Sequence, residues 1–279
     1  MVTRSESAAV DSPSSQGVAA VELLHRAWRP ALLLAAVVVL WWGVTAIGLV
    51  PSYLVPSPSA TIESIVDNPG YYWEDTMVTG GETVLGFVLA TAIGVLAAVV
   101  MVRSPTVERT LYPLLLFAQV IPKIAVAPLF VVWLGFGLAP KIVVAVLMAF
   151  FPVVISMVTG LRSVDPEMLE LSATMGAGPS RTFRRIRFPA SLPYLFSGLK
   201  VAATMAVTGA VVGEFVGADT GLGNVILQAN GNVDTPTLFA GLLLMSLLGV
   251  ALFAVVELLE HILLPWHASR RAGPVTALQ

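Results

Sequence analysis

Long apolar stretches alternate with short polar ones along most of this chain of 279 residues. A helix that crosses a membrane needs about 20 consecutive, mostly apolar residues. Six stretches are long enough, and each predicts one membrane-spanning helix: 31–50, 79–102, 110–138, 141–161, 192–216 and 237–260. Pro122 and Pro128 in the third stretch predict a kink, which neighbouring helices can compensate. The pattern therefore predicts an all-α, polytopic membrane protein.

The two ends of the chain are more polar than its middle. Residues 1–28 predict a serine-rich cytoplasmic tail, in which apolar residues of 18–28 recur at helical spacing. That segment is either an interfacial helix or an extension of the first span. No cleavage-site pattern follows the first apolar run, so a signal peptide is not expected. Residues 29–268 predict the membrane domain, and residues 269–279 predict a second cytoplasmic tail.

Composition excludes most other classes of protein. Hydrophobic residues make up 57% of the chain and charged residues 11%, whereas a soluble domain has about 25% charged residues. The net charge of −2 gives no reason to expect a nucleic-acid partner. The absence of cysteine excludes disulfides and thiolate chemistry. The histidines at positions 25, 261 and 267 lie far apart in sequence, so no metal site is predicted.

Arginine is distributed unevenly between the predicted loops. Cytoplasmic loops of membrane proteins collect Lys and Arg, while acidic residues have little effect. If the N-terminus is inside, all 12 arginines fall on the inner side, and the outer loops 51–78 and 217–236 have none. Lys141 is then the single basic residue assigned to the outside. The distribution predicts a multi-pass protein of the plasma (inner) membrane, with six spans and both termini in the cytoplasm.

The loop after the fourth span, residues 163–190, is the long polar stretch of the chain. The sequence Asp-Pro-Glu at 165–167 predicts a helix start, because Asp caps, Pro suits the first position and Glu complements the helix dipole. Gly176 predicts the end of that helix. Apolar side chains recur along it at helical spacing, namely Met168, Leu171 and Met175. They predict an apolar stripe on a helix outside the membrane.

A second short helix is predicted to begin at 178–179, to contain four arginines and to end at Pro189, before the fifth span. The apolar stripe needs a partner, and the residues leave the alternatives open. The stripe packs on another protein or back on its own bundle. The arginines contact anionic lipid or simply follow the charge asymmetry of membrane proteins.

The loop also carries a recognisable spacing. It resembles the cytoplasmic loop of membrane permeases of ATP-binding-cassette (ABC) importers, which reads Glu-Ala-Ala, three residues, Gly, nine residues, Ile-x-Leu-Pro. The matching positions are Glu170, Gly176, Ile186 and Pro189. The sequence departs from the pattern at Leu171 and Ser172, where the family has alanines, and at Phe188, where it has leucine.

The resemblance implies the fold of a type I importer permease, in which this loop is a coupling helix that docks on a separate cytosolic ATPase. It assigns ATPase coupling to Met168, Glu170, Leu171, Met175, Gly176, Arg181, Ile186 and Pro189. None of the three lysines follows a glycine, so the chain has no phosphate-binding loop. It is therefore expected to be a non-catalytic subunit without a cofactor, with ATP and Mg²⁺ on the ATPase. An extracytoplasmic solute-binding protein and a second permease copy are implied as further partners.

Two further segments, 121–142 and 213–226, resemble permeases of the nitrate, sulfonate, taurine and thiamine-precursor importers. The first is most similar to those for hydroxymethylpyrimidine-type thiamine precursors, which makes such a pyrimidine one expected solute. Sulfonate, nitrate and taurine remain alternatives, because the binding proteins of this group choose the solute.

Two charged residues inside predicted spans leave alternatives open, because such charges face a partner or an aqueous path. Lys123, with Gln119, either lines the translocation pathway or has a structural partner, such as Glu214 or a carbonyl freed by the proline kink. Glu214 either lies on the pathway or simply near the outer end of its helix. Gly221 and Gly223 predict a tight outer turn that forms a gate or a surface for the binding protein.

The sequence also bears on three other kinds of membrane protein. A secondary transporter driven by an ion gradient predicts more intramembrane carboxylates and an internal repeat, and neither is evident in the sequence. A channel or scaffold gives no reason for the spacing in 170–189. A membrane enzyme requires a cluster of acids, bases or metal ligands at one site, which the sequence does not indicate.

Overall fold

A computed structural model describes residues 15–265, with side chains for 28, 29 and 31–265. The predicted tails at 1–14 and 269–279, and His267, lie outside the described residues. Within 15–265 the chain forms α-helices and one π-helix, and it forms no strand. The helices are, in order, α1 (Ser15–Ala46), α2 (Pro58–Asp67), α3 (Pro69–Arg103), α4 (Pro105–Val120), α5 (Lys123–Leu134), α6 (Leu138–Arg162), α7 (Pro166–Thr174), α8 (Pro179–Thr182), the π-helix (Phe183–Arg187), α9 (Phe188–Gly217), α10 (Leu222–Gly231) and α11 (Thr235–Leu263).

Four helical segments among the described residues are long and apolar enough to cross a membrane: α3, α6, the continuous segment Pro179–Gly217, and α11. A fifth candidate is α4 with α5, which are bent by 97° relative to each other. The kink predicted in 110–138 is therefore a break between two helices at 121–122. The apolar part of α1, Ala31–Ala46, is shorter. The all-α, multi-span fold predicted from the sequence is confirmed.

The chain divides into two units, residues 1–61 and 62–279. In the first unit α1 runs without interruption from Ser15, so the segment 18–28 extends the same helix as the first apolar stretch. The indole N–H of Trp41, in α1, donates a hydrogen bond over 2.9 Å to the carbonyl of Pro56, in the segment after α1. This bond fixes the loop that follows α1.

The core of the second unit lies between α3, α6 and α9. Its fully buried positions are mostly small or β-branched, including Ala149, Val153, Ala202 and Ala206. Glycines allow the closest approaches: a β-carbon at Gly209 of α9 would lie 2.6 Å from the Cα of Ala145 in α6. Small residues at helix contacts bring backbones together and increase van der Waals contact, which is the main source of helix association in a membrane.

Among the long helices of the second unit, α3, α6 and α11 run in one direction and α9 runs in the opposite direction, which gives the unit two ends. At one end, the α7 end, lie the C-termini of α3, α6 and α11 together with α7 and α8. At the other end, the α10 end, lie the N-termini of α3, α6 and α11, the C-terminus of α9, and α10. The polar features described below are concentrated at these two ends.

Candidate functional site

At the α7 end, the short helix α7 begins and ends as its sequence predicts. The Asp165 carboxylate accepts a hydrogen bond from the backbone N–H of Glu167 over 3.0 Å, which caps the N-terminus. Gly176 has φ 77°, a left-handed conformation that glycine adopts without a steric cost. Both ends of the helix are therefore defined by local sequence, and α7 is a preformed element.

The apolar stripe of α7 is exposed. Met168, Leu171 and Met175 are 52%, 55% and 79% accessible to solvent. The buried side of α7 includes Ser172, whose hydroxyl donates to the carbonyl of Leu169 and lies 3.3 Å from the hydroxyl of Thr182 in α8. Within the described residues the stripe thus does not pack back on its own bundle. The departure from alanine at Ser172 links α7 to α8.

The prediction that Pro189 ends the second short helix is wrong. The segment from α8 through the π-helix into α9 is continuous, and Pro189 lies in the first turn of α9. Proline has no N–H for the carbonyl four residues earlier, and such a defect is accommodated by a wider turn. The N–H of Phe188 donates to the carbonyl of Phe183, five residues earlier. Ile186 and Pro189 are half-buried, whereas Arg181 is exposed.

Two polar contacts fix the helix ends next to α7. The Arg103 guanidinium at the end of α3 lies 4.8 Å from the ring centroid of Phe183, and Arg162 forms an ion pair with Glu108 of α4. A cleft of about 690 Å³ separates α7 and α8 from the end of α3. The α7 segment is therefore attached to the bundle by defined contacts and bordered by open space.

At the α10 end, three consecutive backbone N–H groups, those of residues 221–223, are satisfied by side chains of other helices. They donate to Asp75 Oδ1 over 2.6 Å, Thr79 Oγ1 over 2.8 Å and Glu214 Oε2 over 2.5 Å. The hydroxyl of Thr79 in turn donates to Glu214 Oε1 over 2.6 Å. The first N–H groups of a helix lack partners within it, and here α3 and α9 supply them.

The turn predicted at Gly221 and Gly223 is present, and glycine is required at both positions. Gly221 has φ 108°, and a β-carbon at Gly223 would lie 2.6 Å from the Oε2 atom of Glu214. Glu214 lies in the last turn of α9. This position agrees with the alternative that placed Glu214 near the end of its helix. However, its side chain is only 1% exposed and holds this turn in place.

An ion pair next to this turn was not foreseen. Lys141 Nζ lies 2.7 Å from Glu82 Oε1, and both residues are buried. Nζ also lies 3.5 Å from the carbonyl of Thr220. From the sequence, Lys141 is assigned to the outer side, at the start of the span 141–161, without a partner; in the structure it lies in the first turn of α6 and faces α3. The signal that could have revealed the pair is Glu82 itself, a carboxylate inside an apolar stretch.

The residues predicted to line a pathway do not come together. The Lys123 ammonium lies 4.7 Å from the ring centroid of Phe151, so the suggested pairing with Glu214 is wrong. Lys123 begins α5, and Gln119 belongs to α4 on the other side of the sharp bend. Glu214 belongs instead to the polar cluster at the α10 end. Gln119 and Lys123 thus remain candidates that flank the break.

These features define a class of protein. Helices long and apolar enough to cross a membrane, together with an exposed apolar stripe on a capped helix at one end, indicate a membrane protein with a surface suited to a protein partner. The family model described as "Binding-protein-dependent transport system inner membrane component" matches residues 90–265, and the chain belongs to this family. It is therefore an inner-membrane, multi-pass permease subunit of the ABC importer type.

Relatives of known class support the same assignment. The chain is 36% identical over 236 residues to a probable ABC transporter permease protein of Haemophilus influenzae, covering 85% of this chain and 96% of the relative. It is 37% identical to the formylaminopyrimidine transport permease protein ThiX of Halalkalibacterium halodurans, covering 87% and 97%. Such permeases are the non-catalytic membrane subunits of their transporters.

A solved structure shares the fold. The inward-facing MetNI methionine ABC transporter contains a chain that is 25% identical to this one, with a TM-score of 0.50. The match covers 67% of this chain and 93% of that one. The type I importer permease fold expected from the sequence is thereby confirmed.

Proposed function

We propose that this chain is the membrane permease of an ATP-driven importer, and that α7 with α8 is its coupling element for a separate ATPase. The observation that carries the proposal is the exposed stripe of Met168, Leu171 and Met175 on a helix capped at both ends. An apolar patch on a rigid helix outside the membrane has a low cost of ordering when it docks. The motif residues Glu170 and Arg181 lie in the same exposed segment.

Continuity between α8 and α9 would transmit movement. Because α8, the π-helix and α9 form one segment, a displacement of α7 and α8 by the ATPase turns or tilts a membrane-spanning helix. ATP binding on the partner would then favour one orientation of the bundle and hydrolysis the other. Alternating access of this kind requires only that ATP binding to the ATPase stabilise one conformation of the transporter more than the other.

The proposed assembly has four kinds of component. Two copies of the permease form the membrane unit, two ATPase subunits bind ATP and Mg²⁺, and an extracytoplasmic binding protein delivers the solute. The arginines near the α7 end support a cytoplasmic location for that end and for both termini. The α10 end, with the turn at Gly221 and Gly223, then faces the binding protein as an outer gate.

For the solute we propose a small nitrogen heterocycle such as a pyrimidine precursor of thiamine. Relatives named for formylaminopyrimidine and for riboflavin transport are 37% and 36% identical to the chain. Relatives named for aliphatic sulfonates and taurine are 30% and 26% identical. Sulfonate, nitrate and taurine stay second candidates, because overall sequence similarity does not determine which solute a member of this family transports.

The proposed function is tested by placing a charge on the stripe. Leu171→Asp should abolish co-purification of the partner ATPase and the ATP hydrolysis stimulated by the loaded binding protein, because docking would bury an unpaired carboxylate. The matched control is Thr174→Asp, at an exposed position of the same helix outside the stripe. Normal ATPase association of the Leu171 variant would show that α7 does not dock.

The same experiment separates the rival classes. A secondary transporter would move its solute in the Leu171 variant without loss, and its transport would follow an ion gradient rather than ATP. A channel or scaffold would show no solute-dependent ATP hydrolysis with either variant. Both results would contradict the importer assignment for this chain.

A further inference from the structure

One face of α3 carries buried polar side chains at the α10 end. Asp75, Thr79 and Glu82 recur there at helical spacing, and all three are buried. Asp75 and Thr79 accept hydrogen bonds from backbone N–H groups of the turn at 221–223. Glu82 is hydrogen-bonded to the carboxyl group of Glu214, which holds the same turn from α9. The turn is therefore held by a carboxyl group that itself contacts a second carboxyl group.

The contact between the two carboxyl groups requires a proton. An ionised carboxylate only accepts hydrogen bonds, whereas a protonated carboxyl group has one O–H donor. Glu82 Oε1 accepts from the Lys141 ammonium, and within the described residues no other group donates to Glu82 Oε2. Both oxygens of Glu214 accept hydrogen bonds, from Thr79 and from Gly223. The hydrogen bond between Glu82 and Glu214 therefore forms only when the pair carries one proton.

The charges around the pair favour the protonated form. Fully ionised, Glu82, Glu214 and Asp75 would place three buried negative charges at this turn, and Lys141 of α6 is the cation that the described residues bring to them. Asp219, in the loop after α9, is exposed and adds a further carboxylate near Glu82. Two carboxylates in contact in a buried site repel strongly, so one of them keeps a proton.

We propose that Glu82 and Glu214 share one proton, and that this proton is a latch on the turn at 221–223. With the proton in place, Glu214 is bound to α3 and keeps both of its oxygens on their donors. Without it, the two carboxylates repel each other, Glu214 moves away, and the backbone N–H of Gly223 loses its partner. The turn at the α10 end thereby responds to pH and opens more readily in alkaline medium, whether or not the importer function is correct.

The count of protons sets the direction of this dependence. In the open turn both carboxyl groups reach water, where a glutamic acid ionises near about pH 4.3. Above about pH 5 the open turn holds no proton on this pair, whereas the closed turn holds one. The state that binds more protons loses stability as the pH rises. Opening should therefore become up to about tenfold more favourable per pH unit, the limit for one proton, until the closed pair is itself deprotonated.

The first test is amide hydrogen exchange at 221–223 in the full chain in lipid nanodiscs, followed against pH and corrected for the intrinsic exchange rate. In the unaltered protein, protection of these amides should fall as the pH rises. Glu82→Gln keeps an oxygen on Lys141 and donates an N–H to Glu214, but it has no proton to release. Its protection should therefore stay constant with pH. Glu74→Gln, the same change at an exposed position of α3, should keep the full dependence.

The second test uses the unaltered protein and so does not depend on the folding of a variant. A protonated carboxyl group has a carbonyl stretch at higher infrared frequency than a carboxylate, and ¹³C in the glutamate carboxyl groups shifts this band while aspartate bands stay in place. We expect a band of protonated glutamic acid near about pH 7, far above the ordinary range for glutamate. The band should disappear at higher pH in parallel with the amide protection, and it should be absent from Glu82→Gln.

Three results would overturn the inference. The first is the absence of a protonated glutamic acid band in the unaltered protein at neutral pH. The second is a band that titrates without a change in protection at 221–223, which would show a proton that does not hold the turn. The third is the same pH dependence of exchange in Glu82→Gln as in the unaltered protein. If thermal unfolding shows that Glu82→Gln does not fold, the first two results still decide.

Discussion

Single residues at the two ends of the bundle set the local backbone. Gly176 has φ 77°, and a β-carbon there would meet nothing within 4 Å. Gly176→Ala should therefore be unfavourable through backbone strain alone, by about 1–2 kcal/mol. We expect faster hydrogen exchange in α7 and weaker association with the ATPase. The matched control is Gly70→Ala, because Gly70 lies in the first turn of α3 without a positive φ and is equally open.

The effect at position 176 is separable from side-chain size. Gly176→Asn should recover most of the loss, since asparagine tolerates the left-handed conformation better than alanine. If hydrogen exchange in α7 were equally slow in Gly176→Ala and Gly176→Asn, backbone strain would not be the reason for glycine at this position.

Glu214 is the residue on which the turn at 221–223 depends most. Both of its oxygens accept hydrogen bonds in a fully buried position. Glu214→Gln retains one acceptor and leaves one donor facing another, which should lower the free energy of unfolding by about 1–3 kcal/mol. The midpoint of thermal unfolding in detergent measures this loss. Glu257→Gln, at an exposed position of α11, should leave the midpoint unchanged.

At the scale of helices, close packing of α6 and α9 stabilises the bundle. A β-carbon at Gly209 would approach the backbone of Ala145, which cannot move without shifting α6. Gly209→Ala should therefore be destabilising by about 1–3 kcal/mol, as overpacking of a core is. Gly81→Ala is the control, because Gly81 lies within α3 with nothing within 4 Å.

The Gly81→Ala control should change the stability in the opposite direction and make the protein slightly more stable. Alanine is favoured over glycine inside a helix by up to about 1 kcal/mol. The thermal unfolding midpoints of the two variants, measured in the same detergent, should thus lie on either side of the midpoint of the unaltered protein. A Gly209 variant as stable as the original would show that α6 and α9 can separate without cost.

The sequence predicted the helical elements better than their partners. Apolar length located the spans, and capping residues located both ends of α7, because these signals are local. The continuity through Pro189 was missed, since a π-turn depends on hydrogen bonds that the proline pattern alone does not reveal. The Lys141–Glu82 pair joins residues 59 positions apart, and no local pattern brings them together.

At the scale of the whole molecule, charge predicts which end faces the cytoplasm. Arg103, Arg162 and the four arginines of 181–187 lie at the α7 end, whereas the loop from 218 to 234 has acidic residues and no basic one. Translocation disfavours loops rich in arginine. We therefore expect α7 on the inner side of the membrane and α10 on the outer side.

The chain contains no cysteine, so single cysteines can report this orientation directly. Thr174→Cys on α7 and Asn230→Cys on α10 both replace exposed residues. A membrane-impermeant maleimide should label position 230 in intact cells and position 174 only in inverted vesicles. Detergent-treated samples, in which both positions should react, control for reactivity. Labelling of position 174 in intact cells would reverse the orientation, and α7 would then lie out of reach of ATP.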